Sequence, residues 1–359
     1  MNKELSVKNV LILASQVPFS SGGAEVLIGD LVKEIRERGH NVDVLSLPFL
    51  IKNNQDLLLQ ISQWRQLDLS EVGGRRVDLV IATKFPTYFA NHPNKIVWMI
   101  HQHRQAYDLY GTRYGDFDTD VGDEAVRQAI LNADRTALGE SKKVFTISDN
   151  VSGRLKDFLG VESEALEPPI PSKSFIPSSV NLQITKGNSI LVIGRLCSSK
   201  RIELILRSLP EIDRKLNLVI VGTEDEPGVE SFLRSEIEKH DLQDRVEFKG
   251  RVDDSCLIDL YSQCFCVFYG SYDEDYGYVT FEAAKFKKPI VTTSDSGHVK
   301  DTVKKFNSGL IAEPDVKSIA SAVNLLLNDS DTYHRLAEND QLVQPNSNWQ
   351  EIIEKFLSD

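Results

Sequence analysis

The sequence predicts an α/β protein built from two Rossmann-like, doubly wound domains. Short apolar runs alternate with helical patterns along nearly all of the 359 residues, which is typical of parallel strands joined by helices. A segment rich in proline and serine, residues 166–179, interrupts this alternation near the middle of the chain. Because proline is poorly tolerated inside helices and central strands, we take this segment as a linker. We therefore predict one domain over residues 1–170 and a second from residue 171 onward.

The elements of each domain follow from the apolar runs. The first helix is predicted over residues 24–38, where Leu27, Leu31 and Ile35 recur at four-residue spacing. Runs such as DLVIAT and KIVWMIH are apolar on both faces, which indicates parallel strands covered by helices on each side. A last amphipathic helix is predicted over residues 346–359. Strands are predicted at residues 10–14, 42–47, 77–82, 96–100 and 144–147 in the first domain, and at 190–193, 218–221, 246–248, 266–269 and 290–293 in the second.

Composition and charge restrict the function. Apolar residues make up 41% and charged residues 26%, as in globular proteins. The net charge of −12 disfavours a nucleic-acid partner. There is no CxxC pair, and Cys264 and Cys266 alternate along an apolar run, as buried thiols in a strand do. With neither a signal peptide nor an apolar run of about 18 residues, we expect a cytoplasmic protein with at most peripheral membrane contact.

A pair of glycines, Gly22 and Gly23, separates the first strand from the first helix. Glycine at a helix start lets backbone N–H groups approach a phosphate, but it also suits a plain tight turn. The dinucleotide fingerprint GxGxxG and the P-loop GxxxxGK[ST] are both missing, which argues against an oxidoreductase.

Two cations follow the first strand of the second domain. Arg195 and Lys200 bracket a loop, where they could converge on one diphosphate or simply face solvent.

Two carboxylates surround the start of a later helix near Gly277. Glu274 lies before this helix and Glu282 within it. Amides at the helix start could hold phosphate while the carboxylates accept from sugar hydroxyls. The alternative is an acidic loop that caps a helix.

These motifs resemble those of the family 4 retaining glycosyltransferases with the GT-B fold. The resemblance rests on Glu274 and Glu282 with seven residues between them, followed by Lys288-Pro289, and on further motifs in the same order. These are Gly22-Gly23-Ala-Glu, Arg-Gly39-His40, Gly194-Arg195 with Lys200, Phe248-Lys-Gly250 and Asn307-Ser-Gly-Leu-Ile-Ala. The resemblance implies two domains facing each other across a cleft. It also implies that the helix at 346–359 completes the first, acceptor domain, and that the donor domain spans 171–345.

The resemblance further implies a function. A hexose would pass from a nucleotide diphosphate sugar, most readily a UDP-sugar such as UDP-glucose, to an acceptor hydroxyl. The acceptor would be a sugar or lipid-linked molecule in polysaccharide, glycoconjugate or glycolipid biosynthesis. No cofactor beyond the donor substrate is expected. A nucleotide-sugar epimerase of the same fold and a non-catalytic sugar-nucleotide binding protein are the alternatives.

The resemblance assigns roles to individual residues. Arg195 and Lys200 would stabilise the leaving diphosphate, Glu274 would hold sugar hydroxyls, and Glu282 would accept from the ribose. The remaining expected donor-site groups are His101, the amides near Gly23 and at Gly277, Tyr278 and Val279, and the base-pocket residues Arg251 and Val252.

Three positions depart from the family pattern. His298 replaces a glycine, and Lys285 and Phe286 interrupt a run of small residues. These departures leave the shape of the sugar pocket and the choice of donor open. Asp-x-Asp patterns occur at residues 116–118, 118–120 and 273–275, but an acidic chain produces such patterns by chance, and Arg195 with Lys200 already supplies positive charge. We predict no metal requirement. The polar segment 107–123 could instead shape an acceptor site.

Overall fold

The computed structural model describes residues 7–19, 22–117, 120–170, 183–338 and 348–358. The chain divides into two compact units. The first unit comprises Met1–Ser172 and Asn346–Asp359, and the second comprises Lys173–Pro345. The domain borders expected from the sequence, after residues 170 and 345, lie close to these divisions. Most of the expected linker, from residue 171 onward, falls outside the described residues.

The first unit contains a six-stranded parallel sheet in the order β2-β1-β5-β6-β7-β8. Counting only its own strands, this is the order 2-1-3-4-5-6, which is the common doubly wound order 2-1-3-4-5 with a sixth strand added. A separate two-stranded antiparallel ribbon joins β3 to β4. The strands are β1 (Asn9–Gln16), β2 (Asn41–Pro48), β3 (Glu71–Val72), β4 (Arg75–Arg76), β5 (Leu79–Ala82), β6 (Lys95–Met99), β7 (Lys143–Thr146) and β8 (Glu164–Ala165).

Among the described residues, four α-helices connect these strands, and their ends have local causes. The side chains of Asp120 and Ser148 accept from backbone N–H groups at the starts of α3 and α4, which satisfies donors that the helices leave unpaired. Gly160 ends α4 in the left-handed conformation at φ 66°. The helices are α1 (Gly23–Glu37), α2 (Asp56–Arg65), α3 (Val121–Gly139) and α4 (Asp149–Leu159).

The last helix of the chain packs on the sheet of the first unit. In this helix (Trp349–Leu357), Phe356 lies with its ring centroid 5.3 Å from Trp98 of β6 and 5.6 Å from Phe145 of β7. Trp98 is fully buried. The C-terminal segment therefore supplies part of the hydrophobic core of the first unit, although it follows the second unit in sequence.

The second unit contains another six-stranded parallel sheet, in the order β11-β10-β9-β12-β13-β14. This is the 3-2-1-4-5-6 order of the Rossmann fold. Its strands are β9 (Ser189–Ile193), β10 (Asn217–Val221), β11 (Val246–Gly250), β12 (Cys266–Tyr269), β13 (Ile290–Thr293) and β14 (Gly309–Ala312). Its helices are α5 (Ile202–Ser208), α6 (Val229–Lys239), α7 (Asp254–Gln263), α8 (Tyr278–Lys285), α9 (His298–Phe306), α10 (Val316–Asn328) and α11 (Ser330–Ala337), and the chain ends with α12, the terminal helix described above.

Alternate residues of the second sheet enter different cores. Ile190 and Val192 belong to one buried cluster, whereas Leu191, between them, belongs to another. Because successive strand side chains point to opposite faces, the sheet has an apolar layer on each side. This explains the continuous apolar runs in the sequence.

The predicted fold class, two parallel α/β domains, is confirmed, while several local predictions are wrong. The strand predicted at 77–82 begins only at Leu79, because the Val77 amide donates to Ser70 rather than to the sheet. Cys264 is not in a strand: it ends α7, where its amide donates to Leu260. Cys264 and Cys266 are nevertheless buried free thiols, as expected. The strands β8 and β14 and the ribbon were not predicted.

Candidate functional site

The strand order of the second sheet reverses at β9. This strand lies between β10 and β12, and Ile190 pairs with Cys266 across the β9–β12 boundary. Chain connections leave this boundary in opposite directions, so a crevice forms outside the carboxyl ends of the two strands. In open α/β sheets, ligands bind at such a position. The loops that follow β9 and β12 carry the predicted residues Arg195, Lys200 and Glu274.

Two glycines allow the loops after β9 and β10 to approach each other. Gly194 has φ 149° and Gly222 has φ 142°, values that side chains disfavour. A Cβ atom on Gly222 would lie 1.8 Å from the carbonyl oxygen of Gly194. This close approach fixes the backbone immediately before Arg195.

Lys200 and Glu274 form an ion pair between the loops that follow β9 and β12. The Lys200 ammonium donates to Glu274 Oε2 at 2.6 Å and to the Tyr269 hydroxyl at 2.9 Å. The two charged side chains are 16% and 17% exposed. Burial lowers the pKa of Lys200, but the interactions with Glu274 and Tyr269 together outweigh burial and raise that pKa above its ordinary value. Lys200 is therefore a fixed positive charge at neutral pH.

Arg195 has a different partner from Lys200. Its guanidinium donates to the carboxylate of Asp225, in the loop after β10, and its side chain is 58% exposed. The two cations thus share one loop, as predicted, but each pairs with a different carboxylate. Of the two, Lys200 is held more rigidly.

The loop that carries Glu274 is tied to its surroundings through the backbone. Its hydrogen bonds reach the loop after β9 and the segment before α9. They run from the Tyr272 amide to the Ser199 carbonyl at 2.8 Å, from the Asp273 amide to the Asp295 carbonyl at 2.9 Å, and from the His298 amide to the Glu274 carbonyl at 3.0 Å. The position of Glu274 is therefore determined by two other segments of the unit, one around Ser199 and one that spans residues 295–298.

Arg201 is a structural residue of this site that sequence reasoning missed. Its buried guanidinium makes two 2.7 Å hydrogen bonds with the Asp295 carboxylate and donates to the Gly270 carbonyl at 2.6 Å. Arg201 follows Lys200 directly and therefore clamps the β9 loop to the loop after β12. No local pattern distinguishes it from a surface arginine.

Helix α8 begins beside Glu274. Gly277 precedes it with φ 82°, and a Cβ atom there would lie 2.4 Å from Val299 and 3.7 Å from the Glu274 side chain. The N–H groups of a first helical turn, here including Tyr278 and Val279, have no acceptors within the helix. The sequence prediction placed Glu274 against this helix start, and the geometry agrees.

Glu282 lies within α8, as predicted, and is tied to the core. Its Oε2 accepts from the Tyr261 hydroxyl at 2.6 Å, and the Tyr261 ring stacks on Phe286 at 4.9 Å. Burial raises the pKa of Glu282, and the hydrogen bond from Tyr261 opposes this shift. Lys285 is half-buried, and burial lowers its pKa despite the nearby Glu282 charge.

Two of the three departures from the family pattern are packing residues. Phe286 supports Tyr261, and it is 2% exposed. His298 is 6% exposed and stacks on Tyr276 with a centroid distance of 5.2 Å. Both aromatic rings therefore pack in the interior of the second unit. Among the predicted base-pocket residues, Arg251 is exposed after β11, and Val252 packs against the cluster that contains Leu191.

The predicted residues of the first unit follow its strands β1 and β6. His101 lies two positions after β6, with its Nδ1 2.8 Å from the Gln102 carbonyl. Gly23 is exposed at the start of α1. There Glu25 accepts from the Gly22 amide at 2.8 Å and from the Lys84 ammonium at 3.0 Å. A carboxylate of the chain itself thus caps the helix start proposed for phosphate.

Across the described ranges, no group of three or more His, Cys, Asp or Glu side chains is arranged to hold a metal ion. Asp118, which two of the Asp-x-Asp patterns share, lies outside those ranges. Within the same part of the chain, every helix is too short or too polar to cross a bilayer.

An architecture of two parallel α/β domains is also found in solved glycosyltransferase structures. Sucrose-phosphate synthase from Thermosynechococcus elongatus is similar at a TM-score of 0.74 and 17% identity, over 97% of this chain and 97% of that chain. Anabaena Alr3699/HepE, in complex with UDP and glucose, is similar at a TM-score of 0.67 and 16% identity, over 96% and 95%. At these identities the likeness concerns the fold.

The sequence profile of the family Glycosyl transferases group 1 matches residues 178–343, which lie within the second unit. This match agrees with the predicted class of protein, a glycosyltransferase. An uncharacterised glycosyltransferase of Haemophilus influenzae is 27% identical over 175 residues, 48% of this chain and 48% of that protein. Mouse α-1,3/1,6-mannosyltransferase ALG2 is 28% identical over 178 residues, 45% and 43% of the two chains. The chain thus spans about half the length of the curated relatives it matches.

Proposed function

We propose that this protein is a retaining glycosyltransferase that transfers a hexose from a nucleotide diphosphate sugar to an acceptor hydroxyl. The observation that carries this proposal is the Lys200–Glu274 pair, which lies at the strand-order reversal of the second sheet and beside the start of α8. A cation, a carboxylate and a helix start within one crevice suit a phosphosugar. The cation and the amides favour phosphate, and the carboxylate accepts from sugar hydroxyls.

In the proposed reaction, the bond between the sugar and the diphosphate breaks, and negative charge grows on the leaving phosphate. Lys200, held at its end by Glu274 and Tyr269, stabilises that charge without having to reorganise. Arg195 supplies a second cation by exchanging Asp225 for a phosphate oxygen. The first amides of α8 add hydrogen bonds and the favourable end of the helix dipole. These protein charges are the basis for proposing a reaction without a divalent metal ion.

The remaining roles are assigned to groups around the same crevice. Glu274 holds donor-sugar hydroxyls, and Glu282, fixed by Tyr261, accepts from the ribose. Arg251 and Val252 line the base pocket. For the first unit, the roles of His101 and of the amides near Gly23 stay proposals that rest on the family resemblance.

Retention is proposed to occur by departure and attack on the same face of the sugar. Glu274 is bonded to Lys200 and lies next to the phosphate-binding helix start. A carboxylate on the phosphate side of the sugar is placed to hold hydroxyl groups rather than to attack the opposite face. The leaving phosphate then takes the proton of the acceptor hydroxyl.

UDP-glucose is the proposed donor, and a sugar or lipid-linked hydroxyl is the proposed acceptor. The Anabaena protein of the same fold was solved with UDP-glucose and with UDP and glucose. Starch synthase IV of Arabidopsis thaliana, also of this fold, was solved with ADP and acarbose. ADP therefore belongs beside UDP and GDP in any ligand panel.

The test is a thermal-shift screen of the purified protein against UDP, GDP and ADP, each with and without EDTA. We expect UDP to raise the Tm equally in both conditions, since a ligand that binds the native state stabilises it. Loss of the UDP shift and of turnover with EDTA would contradict a metal-free reaction. Proton NMR of the product then identifies the anomer, and an inverted product would contradict retention. An epimerised donor formed without any acceptor would support the epimerase alternative instead.

A further inference from the structure

We propose that Tyr269 is a positioning residue of the donor site, which holds the Lys200 ammonium so that one of its N–H groups is left for a phosphate oxygen. This inference rests on the proposed function and extends it to a residue that the sequence prediction did not include.

Tyr269 contacts Lys200 in two ways. Its hydroxyl accepts from Lys200 Nζ at 2.9 Å, and the same nitrogen lies 5.0 Å from the centroid of its ring. Lysine has a long flexible side chain, and ordering it costs conformational entropy. The hydroxyl and the aromatic ring of Tyr269 hold the end of the Lys200 side chain in place. The entropy cost of ordering this side chain is therefore part of folding and not of ligand binding.

The number of N–H groups on Lys200 determines what its contact with Tyr269 leaves for a ligand. An ammonium group has three donors. Within the described residues, one is directed to Glu274 Oε2 at 2.6 Å and another to Tyr269. The third N–H group can donate to a phosphate oxygen. With Glu274 alone as partner, the ammonium could rotate about one hydrogen bond, whereas two partners fix the direction of the third.

Tyr269 is itself fixed by its surroundings. It is the last residue of β12, it is 6% exposed, and its carbonyl accepts from the Thr292 hydroxyl at 2.7 Å. A Cβ atom on Gly277 would lie 3.3 Å from its ring. Tyr269 therefore packs beneath the turn that starts α8, and it connects Lys200 to that turn through a rigid strand.

The protonation state of Tyr269 suits this role. Burial, with the added charge of Glu274, raises the pKa of Tyr269 to about 12. The hydroxyl stays neutral over the pH range of ordinary assays, and it can accept from Lys200 throughout.

The test compares Tyr269→Phe with Tyr333→Phe. Both substitutions remove one hydroxyl from a buried tyrosine of the second unit, but the Tyr333 hydroxyl donates to the Phe265 carbonyl at 2.7 Å, within the other core cluster. The phenylalanine at 269 keeps the ring beneath Gly277. We expect Tyr269→Phe to lower kcat about tenfold while the KM for the donor changes less than about threefold. Tyr333→Phe should leave both constants near those of the wild type.

A double-mutant cycle with Lys200→Met distinguishes positioning from packing. If Tyr269 acts through Lys200, the phenylalanine should have no further effect on kcat once the lysine is gone. A full tenfold loss in the Lys200→Met background would overturn the proposal, as would a Tyr269→Phe variant that behaves like Tyr333→Phe. UDP binding to the wild type, measured by calorimetry, is the separate arm: its failure would contradict the proposed function before any variant is compared. The same double-mutant cycle can be measured on the free energy of unfolding, which requires no turnover. A coupling energy of zero between the two substitutions would show that Tyr269 and Lys200 do not interact.

Discussion

Arg201 and Asp295 lie 94 positions apart, and two parallel 2.7 Å hydrogen bonds join the buried Arg201 guanidinium to the partly exposed Asp295 carboxylate. Asp295 also accepts from the amide of Asp273, the residue before Glu274, through its backbone carbonyl. Arg201 is the residue after Lys200. Asp273 in turn is the residue before Glu274. The Arg201–Asp295 pair therefore holds the loops that carry Lys200 and Glu274 close together. A charged residue with a structural role, Arg201, therefore lies next to a candidate catalytic one, Lys200. For this reason we expect substitutions of neighbouring cations to have different effects.

Lys200→Ala and Arg195→Ala should both lower kcat, by about 10²–10³-fold, because each removes charge that stabilises the leaving phosphate. Their effects on stability should differ. Lys200→Ala leaves Glu274 without its ammonium partner and should cost about 1–3 kcal/mol of unfolding free energy. Arg195 is mostly exposed, so Arg195→Ala should change it by less than about 0.5 kcal/mol. Urea unfolding and steady-state kinetics measure both effects.

Lys317→Ala is the matched control for these two variants, because Lys317 is an exposed lysine of the same unit near the start of α10. It should have wild-type kinetics. Near-normal turnover in both Lys200→Ala and Arg195→Ala would rule out their assignment to the leaving group.

Glu274→Gln and Glu282→Gln should separate sugar positioning from nucleotide binding. Glu274 faces Lys200 and the start of α8, so its amide variant should lower turnover and leave UDP affinity nearly unchanged. Glu282 is fixed by Tyr261, and its amide variant should weaken UDP binding by about tenfold, since a hydrogen bond from ribose to a charged acceptor is lost. Calorimetry with UDP and kinetics with the sugar donor decide this. Equal losses of UDP affinity would leave the two roles without support, and a trapped covalent adduct on Glu274 would contradict same-face transfer.

The sequence predicted most of the second sheet and the loops that hold Lys200 and Glu274, because apolar strands and the helix start are local patterns. It did not predict Arg201 as a buried clamp, since its partner Asp295 is distant in sequence and the residue itself looks like a surface cation. The pairing of Arg195 with Asp225 is likewise non-local. Tyr269 escaped notice because an aromatic residue in a buried strand is ordinary core by pattern. The two-residue β8 lacks the apolar run on which strand prediction depends.

Asp134 should make the stability of the protein depend on pH in a recognisable way. Burial raises the pKa of this carboxyl to about 7, although hydrogen bonds from Tyr107 and Tyr88 oppose the shift. The unfolded carboxyl has a pKa near 3.9. Between about pH 4 and pH 7 the folded protein therefore binds a proton that the unfolded chain does not, and this group makes stability fall as pH rises through that window.

Asp134→Asn should remove this contribution. The amide is nearly isosteric: its oxygen can accept from one of the two tyrosines, and its NH2 group can donate to the hydroxyl of the other. We expect the free energy of unfolding of the variant, minus that of the wild type, to rise between pH 4 and pH 7 and to level off above it. Denaturant unfolding at several pH values measures the difference. A flat difference over that range would show that Asp134 is already ionised in the folded state.

Gly222→Ala tests whether the approach of the two loop backbones sets the catalytic geometry. A Cβ atom at 222 would lie 1.8 Å from the Gly194 carbonyl oxygen, so one of the loops must move, and the residue would also have to adopt φ 142°. The displaced segment leads directly into Arg195 and Lys200. A shift of about 1 Å at groups that stabilise a leaving phosphate can cost about 10²-fold in rate. We expect kcat to fall by about that factor and stability to fall by about 1–3 kcal/mol. Gly29→Ala is the control, because Gly29 is an exposed position of α1 with nothing within 4 Å of the added carbon, and it should keep wild-type kinetics. If Gly222→Ala lost stability but retained full turnover at a temperature where it is folded, the position of the Arg195 loop would not depend on this glycine contact.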